Sequence, residues 1–326
     1  MALARYLALD IGGTKLAAGL VDESGHVTCS KTAPTLRERG AADTVARLLA
    51  LGQAAHRECG EPALTGIGIA CGGPLDPVEG VVLSPPGLPD WDHVEICRAA
   101  TGAFGAPAVL ENDASAGALA EYLWGPRRGS SSLLYMTIST GIGGGWIHDG
   151  VPYLGHSGNG VEVGHLRLDW RGRPCACGAR GCAEAYVSGR AIAAIAAERV
   201  AAGAATSLAA LETVRAEDVV AAARAGDRLA GELWADTMAA TGALLASVIN
   251  AFDPEHLVIG GGVVRSEPAY VETVRRLALA SVMSPSRSRT TIDAARAGVD
   301  IGVLGAAAAY AYRAGVRPDS SEEVAA

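Results

Sequence analysis

A strand, a glycine-rich turn and a second strand occur once in each half of this chain, and that duplication limits the fold more than any other feature. The first copy, YLALDIGGTKLAAGLVDESG, runs from an apolar strand at Tyr6–Asp10 through Gly12, Gly13 and Thr14 into a strand at Leu16–Val21, and ends in a turn at Asp22–Gly25. The second copy, SLLYMTISTGIGGGWIHDG, repeats the design with Thr140 and Gly141 at its turn. HLVIGGGVV reads as a third variant that follows a helix and carries Gly260, Gly261 and Gly262. Glycines at such turns allow positive backbone torsions and expose amide hydrogens, so an anion can approach without meeting a side chain. One copy alone is also what a tight hairpin looks like. Two copies in corresponding places predict a duplicated α/β domain, with a phosphate chain clamped in the cleft between them. Neither copy is a Walker loop, which needs GxxxxGK[ST] leading into a helix.

Composition sets the class. A chain of 326 residues that is 49% hydrophobic and 19% charged can bury one large core or two ordinary ones. Apolar runs are interrupted by Gly, Asn or charge before the roughly 18 residues of a membrane span, and MALARYLALDIGG reads as the approach to a strand rather than an export signal. The expectation is a cytoplasmic protein with no membrane partner. A net charge of -8 argues against a nucleic-acid surface, and the basic groups at Arg127–Arg128 and in SRSRT read as solvated surface.

Two further stretches carry chemistry. AVLENDASAGALAEYLWG is an apolar strand, then Glu111-Asn112-Asp113, then an alanine-rich helix ending near Gly125. Asp113 therefore sits at a strand-to-helix junction, where α/β sheets bind ligands, although Asn112 or Asp113 can equally be the helix N-cap. Asp10, ending the first strand, is placed to hold a hydrated Mg²⁺. CACGARGCAE crowds three of the seven cysteines together, and in a reducing compartment crowded thiols more often hold metal than form disulfides. Cys29, Cys59, Cys71 and Cys97 are isolated and read as small buried hydrophobes.

Taken in order, DIGGTK, the GGP near residue 73, LENDA, STGIGGG, Glu162-x-Gly-His165, CxCGxxGCxE and IGGG resemble the ROK family of sugar kinases over nearly the whole chain. That family belongs to the actin and hexokinase group of ribonuclease-H-like folds. The resemblance implies a two-domain α/β fold with a cleft between the domains: a small domain of residues 1–113 plus 302–326, and a large domain of residues 114–301 bearing a zinc loop. It implies a closed tetrahedral Zn²⁺ site made by His165, Cys175, Cys177 and Cys182, and sugar contacts from Asn112, Asp113, Glu162, His165 and Glu184. Asp113 would be the general base. Gly12, Gly13, Thr14, Thr140 and Gly141 would hold the phosphates of ATP, Asp10 would position Mg²⁺ through water, and Gly260, Gly261 and Gly262 would admit the adenosine. Lys15 either assists there or faces solvent.

Glucose is the leading substrate, with another hexose, an N-acetylhexosamine or a cyclitol as alternatives, polyphosphate as an alternative donor, and a homodimer or homotetramer as the assembly. A sugar-binding regulator is the reading of another class. Regulators in the family carry a helix-turn-helix ahead of the first strand, which begins here by residue 6. Two departures bear on specificity. SPPGLPDW has Gly87 where relatives carry Asn in a segment like NLPGW, and Gly160-Val161 precede Glu162 where relatives read AGExGH. A β-branched Val161 is expected to exclude a positive backbone torsion and so to shift Glu162.

Overall fold

Every residue of the strand Gly66–Cys71 is buried, and Leu7, Ala8 and Leu9 of the strand Arg5–Ile11 are fully so. Continuous burial of this kind means a central strand covered on both faces. The computed structural model describes residues 5–85, 87–295 and 301–318. The strands are β1 (Arg5–Ile11), β2 (Lys15–Asp22), β3 (Val27–Pro34), β4 (Gly66–Cys71), β5 (Leu75–Asp76), β6 (Val81–Val82), β7 (Ala108–Asn112), β8 (Ser132–Ile138), β9 (Ile142–His148), β10 (Val151–Pro152), β11 (His256–Gly260) and β12 (Thr291–Ala294). The helices are α1 (Gly40–Glu58), α2 (Ile96–Phe104), α3 (Asp113–Trp124), α4 (Glu184–Val187), α5 (Gly189–Ala201), α6 (Ala216–Arg224), α7 (Arg228–Phe252), α8 (Gly262–Arg265), α9 (Tyr270–Leu279), α10 (Ser284–Arg287) and α11 (Ile301–Arg313).

The duplication read from the glycine turns is present in the topology. One five-stranded sheet has the order β3-β2-β1-β4-β7 and the other the order β10-β9-β8-β11-β12, so each is an antiparallel meander extended by two later strands. The third glycine run differs from the reading above. β11 passes through Gly261 directly into α8, so this segment is a strand-to-helix turn and not a hairpin.

In the first sheet alternate residues point to opposite faces. Leu7, Leu9, Ile67 and Ile69 join Leu48 and Ala55 of α1 in one core. On the other face Gly68 has no side chain because a Cβ there would stand 1.7 Å from the Ala306 carbonyl oxygen. Helix α11 thus lies with its backbone against the sheet, and its run GAAAA is what permits that approach. Gly305 likewise meets the backbone of Ala116 and Gly117 in α3. This packing bears on the expected boundary at residue 113. The chain divides into Met1–Leu133, Gly145–Val161 and Arg296–Ala326 on one side, and Leu134–Gly144 with Glu162–Ala295 on the other. Helix α3 stays with the first unit because its small residues are packed on α11. Residues 1–4 and 319–326 of the expected small domain lie outside the described residues.

In the second unit, α7 is long and apolar enough to cross a membrane by length and composition, which departs from the expectation that every apolar run stops short of that. Half of its most apolar stretch is buried. It packs chiefly on α6 and α9, and also on α4 and α5, and the buried Thr237 and Thr241 return their hydroxyls to the carbonyls of Leu233 and Thr237.

The isolated cysteines separate into two kinds. Cys71 is buried, as expected, and Cys97 is half-buried. Cys29 and Cys59 are a correction, since they are joined in a disulfide. The bond links β3 to the residue that ends α1, two elements whose sequence spacing carries no pairing signal. A closed loop spanning a sequence separation of 30 residues constrains the unfolded chain by roughly 3–4 kcal/mol in the chain-entropy account. Cys59→Ser is therefore expected to lower the unfolding free energy by up to that amount, measured by denaturant titration under non-reducing conditions. An intact mass showing both thiols free in the oxidised wild type would remove the basis for this expectation.

Candidate active site

Asp10 is the next-to-last residue of β1, one register step from the glycine turn. The turn closes on a Gly12 N–H to Lys15 carbonyl bond of 2.9 Å, and the buried Thr35 braces it twice. Its hydroxyl donates to the Gly12 carbonyl at 2.6 Å, and its amide donates to the Thr14 carbonyl at 3.0 Å. Gly13, Thr14 and Lys15 are left exposed. Nothing local in the sequence marks Thr35 as the brace.

The open question at the β7–α3 junction is resolved in favour of Asn112 as the cap. Its Oδ1 accepts from the amides of Ala114 at 3.0 Å and Ser115 at 3.2 Å. Asp113 is left as the first helical residue, with Oδ1 accepting from the Ala114 amide at 2.9 Å. Behind the junction, the buried Glu111 carboxylate takes the Asn112 amide at 3.1 Å and the Arg313 guanidinium at 3.4 Å, which ties the end of α11 to this strand. Asp113 is open to solvent on one side, while the protein around it desolvates the carboxylate and raises its pKa. Burial first, and then the charge of Asp113, push Asp10 up to about 7. The Cys71 thiol, held well above its ordinary value by burial and then by the charges of Asp113 and Asp10, is inert beside them. Gly302 is what lets α11 reach this place, since a Cβ on it would meet Asp10 Oδ2 at 2.2 Å. Two carboxylates that repel each other beside the exposed Gly13–Thr14 turn form a donor set that suits a hard divalent cation such as Mg²⁺.

The second unit gathers the other half of the predicted residues. Glu184, at the start of α4, has Oε2 accepting from the Ile142 amide at 3.0 Å and Oε1 accepting from Arg190 at 3.0 Å. A Cβ on Gly141 would stand 2.8 Å from Glu184 Oε2, so the second glycine turn needs Gly at that point. Gly164, between Glu162 and His165, packs on the Ile142 carbonyl. Glu162, His165, Glu184 and the Thr140–Gly141 turn are thus brought together. Gly189 donates to the Ser139 carbonyl at 2.7 Å, and Gly261 lies against Ile138, which adds Gly260–Gly262 to the same neighbourhood. Arg190 was missed in the sequence, where the only signal is a cation six positions after Glu184.

The ligand atoms of His165, Cys175, Cys177 and Cys182 all lie within 4.8 Å of one another. Cys175 Sγ is 3.7 Å from His165 Nδ1, and Cys177 Sγ is 3.7 Å from Cys182 Sγ. A tetrahedron with Zn–S bonds of about 2.3 Å has edges of about 3.8 Å, so the four side chains fit Zn²⁺ with no open position. The loop is a hairpin with bridges at Arg167–Cys182 and Pro174–Arg180. His165 turns Nδ1 to the thiols and keeps Nε2 toward Glu162, 3.9 Å from its Oε2.

Val161 does not behave as expected. It adopts φ 61°, in the left-handed region that β-branched residues strongly avoid. Its side chain is buried, and Gly160 is pressed against Gly155 and Leu154, so packing holds the torsion that the residue type opposes. A Cβ at Gly87 would meet nothing within 4 Å.

A model of the ROK family matches residues 6–312. The chain belongs to the ROK family. It is 32% identical over 315 residues to the glucokinase of Thermotoga maritima, covering 95% of this chain and 98% of that protein. It is 33% identical over 301 residues to the N-acetylmannosamine kinase of Salmonella arizonae, covering 92% and 96%. The crystal structure of a ROK family glucokinase from Streptomyces griseus in complex with glucose and AMPPNP superposes with a TM-score of 0.81 at 32% identity, covering 94% of this chain and 98% of that one. The expected fold class, a two-domain α/β fold of the actin and hexokinase type, is borne out in this ROK chain.

Asp10 yields a prediction whose sign follows from its raised pKa. The folded value lies above the unfolded one, so ionisation costs stability, by an amount that is absent in acid, grows from about pH 4 and is complete above about pH 7. Asp10→Asn is expected to raise Tm by roughly 3–8 °C at pH 8 and by clearly less at pH 5, measured by calorimetry without added metal. An equal gain at the two pH values would show that Asp10 is not held protonated.

Proposed function

We propose that this chain is an ATP-dependent sugar kinase acting on a hexose hydroxyl, with glucose as the first candidate. The carrying observation is the β7–α3 junction, where Asn112 performs the capping and leaves the Asp113 carboxylate exposed, with a raised pKa. Support comes from the glucokinases and the N-acetylmannosamine kinase to which the chain is similar.

In a loose phosphoryl-transfer transition state the protein supplies position and charge rather than covalent help. Asp113 accepts the proton of the attacking hydroxyl, and its raised pKa makes it a stronger acceptor than an ordinary surface carboxylate. Asn112, Glu162, His165 Nε2 and Glu184 hold the neighbouring hydroxyls. Gly13, Thr14, Thr140 and Gly141 present amides to the phosphates, Gly12 shapes the first turn through its bond to Lys15, Lys15 stands exposed at the same turn, and Gly260–Gly262 leave room for adenosine. Mg²⁺, held through Asp10, neutralises phosphate charge when bound. Zn²⁺ at His165, Cys175, Cys177 and Cys182 has a structural task, which is to hold the imidazole and the loop leading to Glu184. A cytoplasmic homodimer or homotetramer, without nucleic-acid or membrane partners, completes the reading. A sugar-binding regulator is disfavoured because Asp113 and both glycine turns are retained.

A coupled assay of hexoses, N-acetylhexosamines and cyclitols, with ATP or polyphosphate and Mg²⁺, tests the reading directly, and transfer to none of them defeats it. Asp113→Asn is expected to cut kcat by at least ~100-fold with Tm preserved, because the amide keeps the shape but takes no proton. Elemental analysis is expected to find one zinc per chain. Because thiolates must form before metal binds, and burial pushes the Cys182 thiol up to about 12 in the metal-free state, uptake should release protons and weaken in acid. Cys177→Ser should lower Tm and sugar affinity together; a metal-free preparation with full activity overturns the assignment.

An Asn at position 87 enters open space and can donate to or accept from a sugar hydroxyl. Val161→Gly relieves the left-handed strain next to Glu162. The double variant is expected to raise kcat/KM for glucose by roughly tenfold. A wild type that already prefers glucose strongly would make both departures neutral.

A further inference from the structure

Asn112 is not finished when its capping is counted. With Oδ1 committed to the Ala114 and Ser115 amides, the side chain has only its Nδ2 donors left to offer. A second amide faces the same spot. Asn159 donates from Nδ2 to the Ser157 carbonyl at 3.0 Å, which leaves Oδ1 as its free acceptor. Both converge on the bare face of Gly73: the position a Cβ would take there is 3.1 Å from Asn159 Oδ1 and 3.6 Å from Asn112 Nδ2. The loop carrying Asn159 is fixed by the Gly160 amide bonding the Leu154 carbonyl at 2.9 Å and by the buried Val161 that follows it. Asn159 itself is half-buried.

A donor and an acceptor that flank the same glycine face select a group that can both accept and donate. A hydroxyl does this with one oxygen, whereas an ether oxygen or a hydrogen in its place leaves Asn159 Oδ1 unsatisfied. We propose that Asn159 is a specificity-determining residue: its Oδ1 accepts a hydrogen bond from a ring hydroxyl of the substrate, and the same hydroxyl accepts one from Asn112 Nδ2. The assignment rests on the sugar-kinase reading above and adds a contact from the segment just before Val161, on which that reading placed nothing.

The test compares wild type with Asn159→Leu, a near-isosteric change that deletes the acceptor, on the preferred sugar and on each of its monodeoxy analogues. kcat/KM for the parent sugar is expected to fall about 10- to 100-fold. One monodeoxy sugar should already be a poor substrate for wild type and lose little more in the variant, while the others fall by the same factor as the parent. Asn159→Ala, which leaves space in place of an apolar wall, should give the same selective pattern, and its use covers any loss of folding by the leucine variant, with Tm measured for both. An unchanged kcat/KM for the parent, or an equal loss across every monodeoxy sugar, overturns the proposal. If wild type transfers phosphate to no sugar, the kinase reading fails on its own, and calorimetric binding of the same sugars to wild type and variants still decides whether Asn159 reads a hydroxyl.

Discussion

Asp10 is held out of water beside Asp113, so that burial first and then the charge of Asp113 raise its pKa, and the first unit is organised around tolerating that cost. Left to itself, a chain would move two such groups apart or let water between them. Here β1 is central and covered on both faces, α3 is fixed at its start by the Asn112 cap, and α11 is pressed backbone-first onto β4 through Gly68 and Ala306. Each contact removes a way of relaxing. The strain is then available to any ligand that brings positive charge or gives up a proton, which is what a phosphoryl-transfer site requires.

The second unit solves a different problem, that of positioning groups on loops, which are less well held than strands. Glu184 is pinned from both oxygens, by the Ile142 amide and by Arg190. His165 is aimed by the thiols on one nitrogen and so presents the other in a set direction. The glycine turn between β8 and β9 is shaped to the Glu184 carboxylate at Gly141. A shift of the cysteine loop therefore passes to Glu184 and from there to the turn, by direct contact at every step.

What was legible in the sequence is what depends on neighbours along the chain. The two hairpins, the β7–α3 junction and the cysteine loop could be read because turn chemistry, capping and ligand spacing are local. Asn112 and Asp113 could both be nominated as cap, but choosing between them needed the side-chain geometry. Thr35, Arg190 and Arg313 were not legible, because each acts on a partner set by tertiary packing and none stands in a distinctive local pattern. The Cys29–Cys59 bond was misread for the same reason. The unit boundary was placed at the end of β7, whereas the affinity of α3 for α11 depends on small residues meeting across nearly the whole chain length. Val161 shows the opposite failure, in which a sound local rule about β-branched residues was overridden by the packing of Gly155 and Gly160.

The first sheet ends on β3, whose outer row of amides and carbonyls has no neighbouring strand among the described residues. Such an edge is a template on which another molecule can add a strand, and folded proteins need some means of refusing that offer. Three are present on this one strand: Pro34 lacks a donor, Lys31 carries a charge paired with Glu58, and Cys29 is bonded to Cys59 at the end of α1. The disulfide therefore guards solubility as well as the fold. In a reducing solution the chain would keep its interior and lose part of its protection against self-association, a loss that grows with concentration and leaves the chemistry of each dissolved molecule untouched.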